Sequence, residues 1–264
     1  MISGKRVIAA MLTALMAVTF TANTAVSVYA TGVTATENAQ TIDAQSTDAQ
    51  ALTPEEQKAQ ELQQVYDMPV ESNGYKDWPQ GPGTYGEAGI VMEVGTGAIL
   101  YAKNIDAHEY PASITKVLTA LVALENGQLT DNVTFSHDSV AFLQRGDSSV
   151  GLKEGNVITL DQAMHAMLLA SANEAAYAIG ESVGVNAGHD YNWFIEQMNS
   201  RCKELGGENS NFANTNGLHD PNHYTCARDM ALIGRELFKH PEFFQIVQTL
   251  NYTIPASEIG RASC

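Results

Sequence analysis

Two largely apolar runs, residues 90–94 and 98–102, flank Gly95-Thr96-Gly97. That pattern predicts a β-hairpin over residues 88–102. Beyond it the periodicity becomes helical. After Ser113 the apolar residues Val117, Leu118, Leu121 and Val122 fall on one stripe, which Ile114 and Leu124 widen. A helix apolar over so wide an arc is expected to be deeply buried. Thr159 opens another helix, with Gln162 placed to complete a capping box and Leu160, Ala163, Met164, Met167 and Leu168 at helical spacing. A break at 170–172 precedes a helix of small residues from Asn173 to about residue 181. Asp190 is placed to cap a helix whose Tyr191, Phe194, Ile195, Met198, Cys202 and Leu205 share a face. Thr225 is placed to cap one carrying Met230, Ile233, Leu237 and Phe238, which Pro241 breaks. Residues 243–250 read as helix and 252–254 as the beginning of a strand. The pattern is thus an early hairpin followed mostly by helices, with few strand candidates before residue 250. A lone hairpin leaves edges and a face uncovered, so more strands are expected. There is no internal repeat and no second folded domain.

The N-terminal stretch follows other rules. Lys5 and Arg6 precede a largely apolar run from Val7 to Phe20, and Val28 and Ala30 stand where a signal cleavage site wants small residues. Thr13, Thr19, Thr21 and Asn23 interrupt the run, which favours a cleaved export signal over residues 1–30 rather than a membrane anchor. Cleavage removes two cations and no anion, taking the net charge from -16 to -18. Residues 31–84 read as an acidic spacer containing one short helix. Thr53-Pro54-Glu55-Glu56 begins that helix, which runs to about residue 65, and Gly81-Pro82-Gly83 ends the lead-in. Nothing after residue 30 is long and apolar enough to span a membrane. The acidic balance argues against general nucleic-acid binding. Three cysteines exclude a disulfide-dense scaffold.

The candidate chemistry begins with Ser113-Ile114-Thr115-Lys116. Residues three apart share a helix face, so the lysine amine is expected beside the serine hydroxyl. A serine becomes a nucleophile when a neighbouring base takes its proton, and a buried lysine held neutral can be that base. The same spacing arises by chance in many helices. Ser171-Ala172-Asn173 is the second signal, at a break where a hydroxyl could relay a proton and an amide could hold a lysine or a substrate; simple capping of the next helix is the competing reading. His219 and His223 are too poorly aligned across Pro221 to make a convincing metal site, and Gly217 and Pro221 read as turn formers. Cys202 lies on an apolar stripe and Cys226 at a helix start; both read as buried thiols, while Cys264 is terminal.

Taken together, the two serine motifs resemble the penicillin-binding and serine β-lactamase group, whose signature is S-x-x-K, S-x-N and K-T-G. The nearer likeness is to the low-molecular-mass D-alanyl-D-alanine carboxypeptidases. It is carried by YPASITKVLTALVAL (110–124), GLKEGNVITLDQAMHAMLLASANEAAYAIGE (151–181), FANTNGLHDPNHYTCARDMA (212–231) and EVGTGAILYAKN (93–104). The resemblance implies an α+β fold of β-lactamase/D,D-peptidase type, a helical cluster packed on an antiparallel sheet. It implies Ser113 as the acylated nucleophile, Lys116 as its general base, Ser171 as proton relay and Asn173 as the substrate-positioning amide. The implied reaction removes the terminal D-alanine from peptidoglycan stem pentapeptides, with β-lactam antibiotics as covalent inhibitors and no cofactor or metal. Ala172 and Glu174 stand where many members carry glycine and aspartate. K-T-G lies about 100 residues after S-x-N in this group, and here neither Lys203 nor Lys239 is followed by Thr-Gly. The catalytic domain, residues 85–264, is therefore expected to be C-terminally incomplete. The late sheet strands would be missing, and so would the C-terminal region through which many members associate peripherally with a membrane. Such a chain is expected to be poorly soluble or weakly active. Alternatives are a class A-like β-lactamase, whose deacylating glutamate has no clear match between Asn173 and Phe212, and a catalytically dead relative.

Overall fold

In the computed structural model, which describes residues 52–257 and 260–263, the early hairpin pairs Gly89–Met92 (β1) with Ile99–Lys103 (β2). The register runs from Gly89↔Lys103 to Val91↔Tyr101 and then slips before Met92↔Ile99. At its tip the Glu93 carboxylate accepts the backbone N–H groups of Gly95 and Thr96. The Thr96 hydroxyl, which also donates to it, and then these two bonds hold its carboxyl down at about 2. The expected signal, residues 31–51 of the acidic spacer and Cys264 lie outside the described residues.

Pro54–Tyr66 forms α1, capped as expected by Thr53 and Glu56, with none of its residues buried. The chain that follows does not run free as a spacer. A 3-10 turn at Glu71–Gly74 buries Ser72, whose Oγ accepts the Ala102 N–H at 3.3 Å. The Trp78 indole donates to the Leu100 carbonyl at 2.8 Å, and the Tyr101 hydroxyl to Pro82 at 3.0 Å. Lys103, fully buried, donates to the carbonyls of Val65 and Thr84. The exposed backbone of an edge strand needs partners, and composition does not reveal that this polar segment supplies them.

The helical cluster is built around Thr115–Asn126 (α2), which packs against Leu160–Leu169 (α4), Asn173–Asn186 (α5), Tyr191–Glu204 (α6) and Ala227–Leu237 (α7). Leu118, Ala120, Leu121, Val122 and Ala123 have no exposed surface, as the wide apolar arc predicts. The small residues of α5 permit close approach; a Cβ on Gly184 would fall 2.3 Å from the Asp190 carbonyl oxygen. Asp190 caps α6, and Thr159 with Gln162 forms the capping box of α4. The cap of α7 is a correction. Cys226, not Thr225, holds it, its sulfur accepting from the Asp229 N–H. Thr225 is taken up instead by a bridge to Glu109 and a side-chain bond to Ser210.

The short helix His137–Ala141 (α3) lies between two strands that the apolar pattern misses, Asn132–Thr134 (β3) and Val157–Thr159 (β4). Three residues are too few to show a period of two. Pro241–Val247 (α8) ends before residue 250, and Thr253–Ser257 (β5) pairs antiparallel with Gly260–Ser263 (β6). The fold is α+β, with α7 packed on β1 and the strands in antiparallel pairs. No helix among the described residues is long and apolar enough to cross a membrane.

Candidate active site

Ser113 does not lie on the α-helix itself. It occupies a 3-10 turn, Ala112–Ile114, that leads into α2, and it remains exposed while Lys116, in the first turn of α2, is buried. Ala112 is held at φ 46°. Gly217, lacking a side chain, leaves room for the Ala112 carbonyl; a Cβ there would sit 1.8 Å from that oxygen. Gly217 itself has φ 84°, a conformation glycine adopts without steric cost.

The Lys116 amine spends all three of its donors. It reaches Ser113 Oγ at 3.2 Å, Asn173 Oδ1 at 2.8 Å and the Asn216 carbonyl at 2.7 Å. Burial lowers its pKa to about 8, against the pull of the Glu174 carboxylate, which favours the ammonium. The longest of the three bonds is the one to the serine. A neutral amine can therefore keep its bonds to Asn173 and Asn216 and turn its lone pair toward the Ser113 hydroxyl.

Ser171 sits in the break between α4 and α5 at φ 56°, and its Oγ donates to Ser113 Oγ at 2.9 Å. Capping is not its task, nor that of Asn173: α5 begins without a side-chain cap, and the Asn173 amide oxygen faces the lysine instead. The four residues singled out in the sequence, Ser113, Lys116, Ser171 and Asn173, thus converge on one cluster from two segments.

Three participants were not legible as site residues. Asn216 contributes its backbone carbonyl, which no side-chain motif encodes. Gly217 contributes an absence of side chain. Glu174 is fully buried, with Oε1 accepting from Ser149 Oγ, Val150 N–H and Gly151 N–H. The loop carrying Asn216 is fixed from several sides: Thr119 Oγ1 donates to the Thr215 carbonyl at 2.7 Å, and Gly217 N–H to Asn214 Oδ1 at 2.7 Å. His223 Nδ1 accepts the Ala213 N–H, so its Nε2 carries the proton and donates to Thr115 Oγ1 at 2.7 Å. Burial pushes this imidazole down to about 4. His219 packs edge-on against Tyr110. Cys202 and Cys226 are buried, each pushed up to about 11 by that burial. Beside Asn216, a groove of about 520 Å³ runs between Phe142, Tyr177 and Leu218, with Asp138 at its rim.

A profile of D-alanyl-D-alanine carboxypeptidases matches residues 79–260, more than half of the chain and all four clustered residues. The chain belongs to the D-alanyl-D-alanine carboxypeptidase family. Among relatives of this D-alanyl-D-alanine carboxypeptidase family member, the carboxypeptidase DacA of Haemophilus influenzae is 34% identical over 170 residues, 62% of this chain and 42% of its own length. DacF of Bacillus subtilis is 32% identical over 168 residues, covering 62% of this chain and 41% of its own. The crystal structure of the Streptomyces K15 DD-transpeptidase superposes with a TM-score of 0.60 at 27% identity, over 66% of this chain and 70% of that one. The chain spans less than half the length of these two curated relatives. The family match opens at residue 79, within the segment that covers β2, and so takes in the last residues that composition groups with the spacer.

Proposed function

We propose that residues 85–264 form catalytic machinery of a serine-type D-alanyl-D-alanine carboxypeptidase that acts outside the cytoplasm on peptidoglycan stem pentapeptides. In this reading neutral Lys116 takes the Ser113 proton as Oγ attacks the carbonyl carbon of the terminal D-alanyl-D-alanine bond. The N-terminal end of α2, just after Ser113, brings the positive end of its dipole to charge developing on the carbonyl oxygen. The C–N bond breaks as Ser171 passes a proton to the departing D-alanine amine and is reprotonated by the Lys116 ammonium, which returns to the neutral amine, and the acyl group stays on Ser113 as an ester. Water, deprotonated by the same lysine, hydrolyses that ester and regenerates the serine. Asn173 holds the lysine in line and offers its amide to the substrate. β-Lactams would acylate the same oxygen.

The observation that carries this reading is the convergence on Ser113 Oγ of the Lys116 amine at 3.2 Å and the Ser171 hydroxyl at 2.9 Å. Intact-protein mass spectrometry after exposure to a fluorescent penicillin tests it. A single adduct located on Ser113, absent from Ser113→Ala and slowed at least about 10²-fold in Lys116→Ala, is expected. An unmodified Ser113 after long exposure at alkaline pH sinks the reading. Rapid loss of the adduct would mark a β-lactamase instead of a carboxypeptidase.

A further inference from the structure

Among the described residues, Glu174 is a buried carboxylate adjoining Asn173 of the cluster that the proposed reaction does not use. Its side chain has no exposed surface. Oε1 gathers three donors from a single stretch of chain: Ser149 Oγ at 2.7 Å, Val150 N–H at 2.8 Å and Gly151 N–H at 3.2 Å. Oε2 is buried without a hydrogen-bond partner. Leaving a carboxylate oxygen dry and unpaired is costly, so a nearby positive charge offsets the burial. The neighbouring residue makes a matching tie, since the Asn173 N–H donates to the Ser148 carbonyl at 2.9 Å. The strap 148–151 is therefore joined twice to the first turn of α5. The side chain of Asn173, in turn, faces the Lys116 amine.

We infer that Glu174 is a positioning residue: its carboxylate fastens the strap 148–151 to the start of α5 and supplies the negative charge that holds Lys116 beside Ser113. Other charged groups surround α2 but act elsewhere. Asp161 and His165 of α4 engage each other and Tyr252. Arg201 of α6 pairs with Glu125 at the far end of α2. Asp229 of α7 takes Asn209 and Ser210, and His223 is held neutral against Thr115. Glu174 alone among the described residues acts electrostatically on Lys116.

The inference rests on the proposed function only for its catalytic meaning, and its test does not need activity. Two substitutions separate the two tasks. Glu174→Gln keeps an oxygen for the three strap donors and removes the charge. Glu174→Ala removes both. In the full chain labelled with ¹³C,¹⁵N-lysine, the Lys116 signal, assigned by its absence from Lys116→Ala, is titrated by NMR. Amide hydrogen exchange is measured at Val150 and Gly151. Loss of the carboxylate charge disfavours the ammonium, so the Lys116 titration is expected to move to lower pH by about half a unit or more in Glu174→Gln. Protection of Val150 and Gly151 stays near the native level there. In Glu174→Ala the titration moves likewise and the protection falls at least about tenfold. An unchanged Lys116 titration in Glu174→Gln overturns the inference even if Glu174→Ala fails to fold, because a purely structural glutamate would leave it in place. Acylation by a fluorescent penicillin gives an independent readout. If the native chain is acylated, the rising limb of its pH profile moves down with the lysine. If Ser113 is never acylated, the proposed reaction fails while the titration still decides the role of Glu174.

Discussion

A buried imidazole, His223 against Thr115, and a buried amine, Lys116 against Ser113, stand beside the turn that leads into α2, and both are kept short of protons by their surroundings. For Lys116, whose pKa burial lowers to about 8, this suits the proposed role of base; roughly one molecule in ten has the free amine at pH 7. For His223 it makes a latch. Its neutral form, accepting from Ala213 and donating to Thr115, pins the 212–223 loop to α2. With a folded pKa of about 4 against about 6.5 unfolded, the unfolded chain binds a proton that the folded chain refuses. The stability contributed is therefore fully present above the unfolded value and lost as pH falls from there toward 4. The loss between pH 7 and pH 5 is expected to be about 2 kcal/mol. Urea denaturation at the two pH values measures it, and the difference between the native chain and His223→Gln isolates it from carboxylates that also titrate. The motif spacing made Ser113, Lys116, Ser171 and Asn173 visible in the sequence because their chemistry resides in side chains at short intervals. Asn216, Gly217 and Glu174 were not visible as site members. A backbone carbonyl, a missing Cβ and an acid serving a distant strap carry no local pattern.

Among the elements, those with strong local rules were read correctly from the chain. Thr53 and Thr159 cap where their capping boxes indicate, and Asp190 caps α6. The cap of α7 shifted to Cys226 because the Thr225 backbone was already committed to Glu109 across a bridge. That is tertiary pairing outweighing a local preference of about 1 kcal/mol. Helix α5 runs on to Asn186, past the residue 181 expected, since its small residues carry no clear stripe to mark an end. The same competition explains the segment before the hairpin. Its turns and prolines look like linker, yet the open edge of β2 recruits Ser72, Trp78 and the carbonyls that receive Lys103. Replacing Lys103 by methionine leaves the Val65 and Thr84 carbonyls without a donor. The substitution is expected to cost about 1–3 kcal/mol in chemical denaturation and to speed limited proteolysis between residues 67 and 84. Unchanged cleavage there would show that the lysine does not hold the segment.

At the scale of the whole molecule, α2 is the axis on which both stability and the site depend. Its apolar side chains are enclosed by four other helices, and its N-terminal turn presents Ser113. Leu121→Ala is expected to cost about 2–5 kcal/mol, whereas Leu62→Ala on exposed α1 stays within about 0.5 kcal/mol. Equilibrium unfolding followed by tryptophan fluorescence compares them, and equal losses would mean that α2 is not the centre of the core. Hydrophobic periodicity was enough to establish an early hairpin followed by buried helices, and the serine motifs were enough to point to an acyl-transfer family. Both follow from interactions within a few residues along the chain, where helix and strand geometry translate sequence spacing directly into shared faces. The close seat of Ala112 on Gly217, the convergence of Lys116 with Asn173 and Asn216 across 57 and 100 residues, and the covering of β2 depended on packing. Such contacts are set by which surfaces can be buried together, and that is a property of the assembled helices, not of any stretch of the chain.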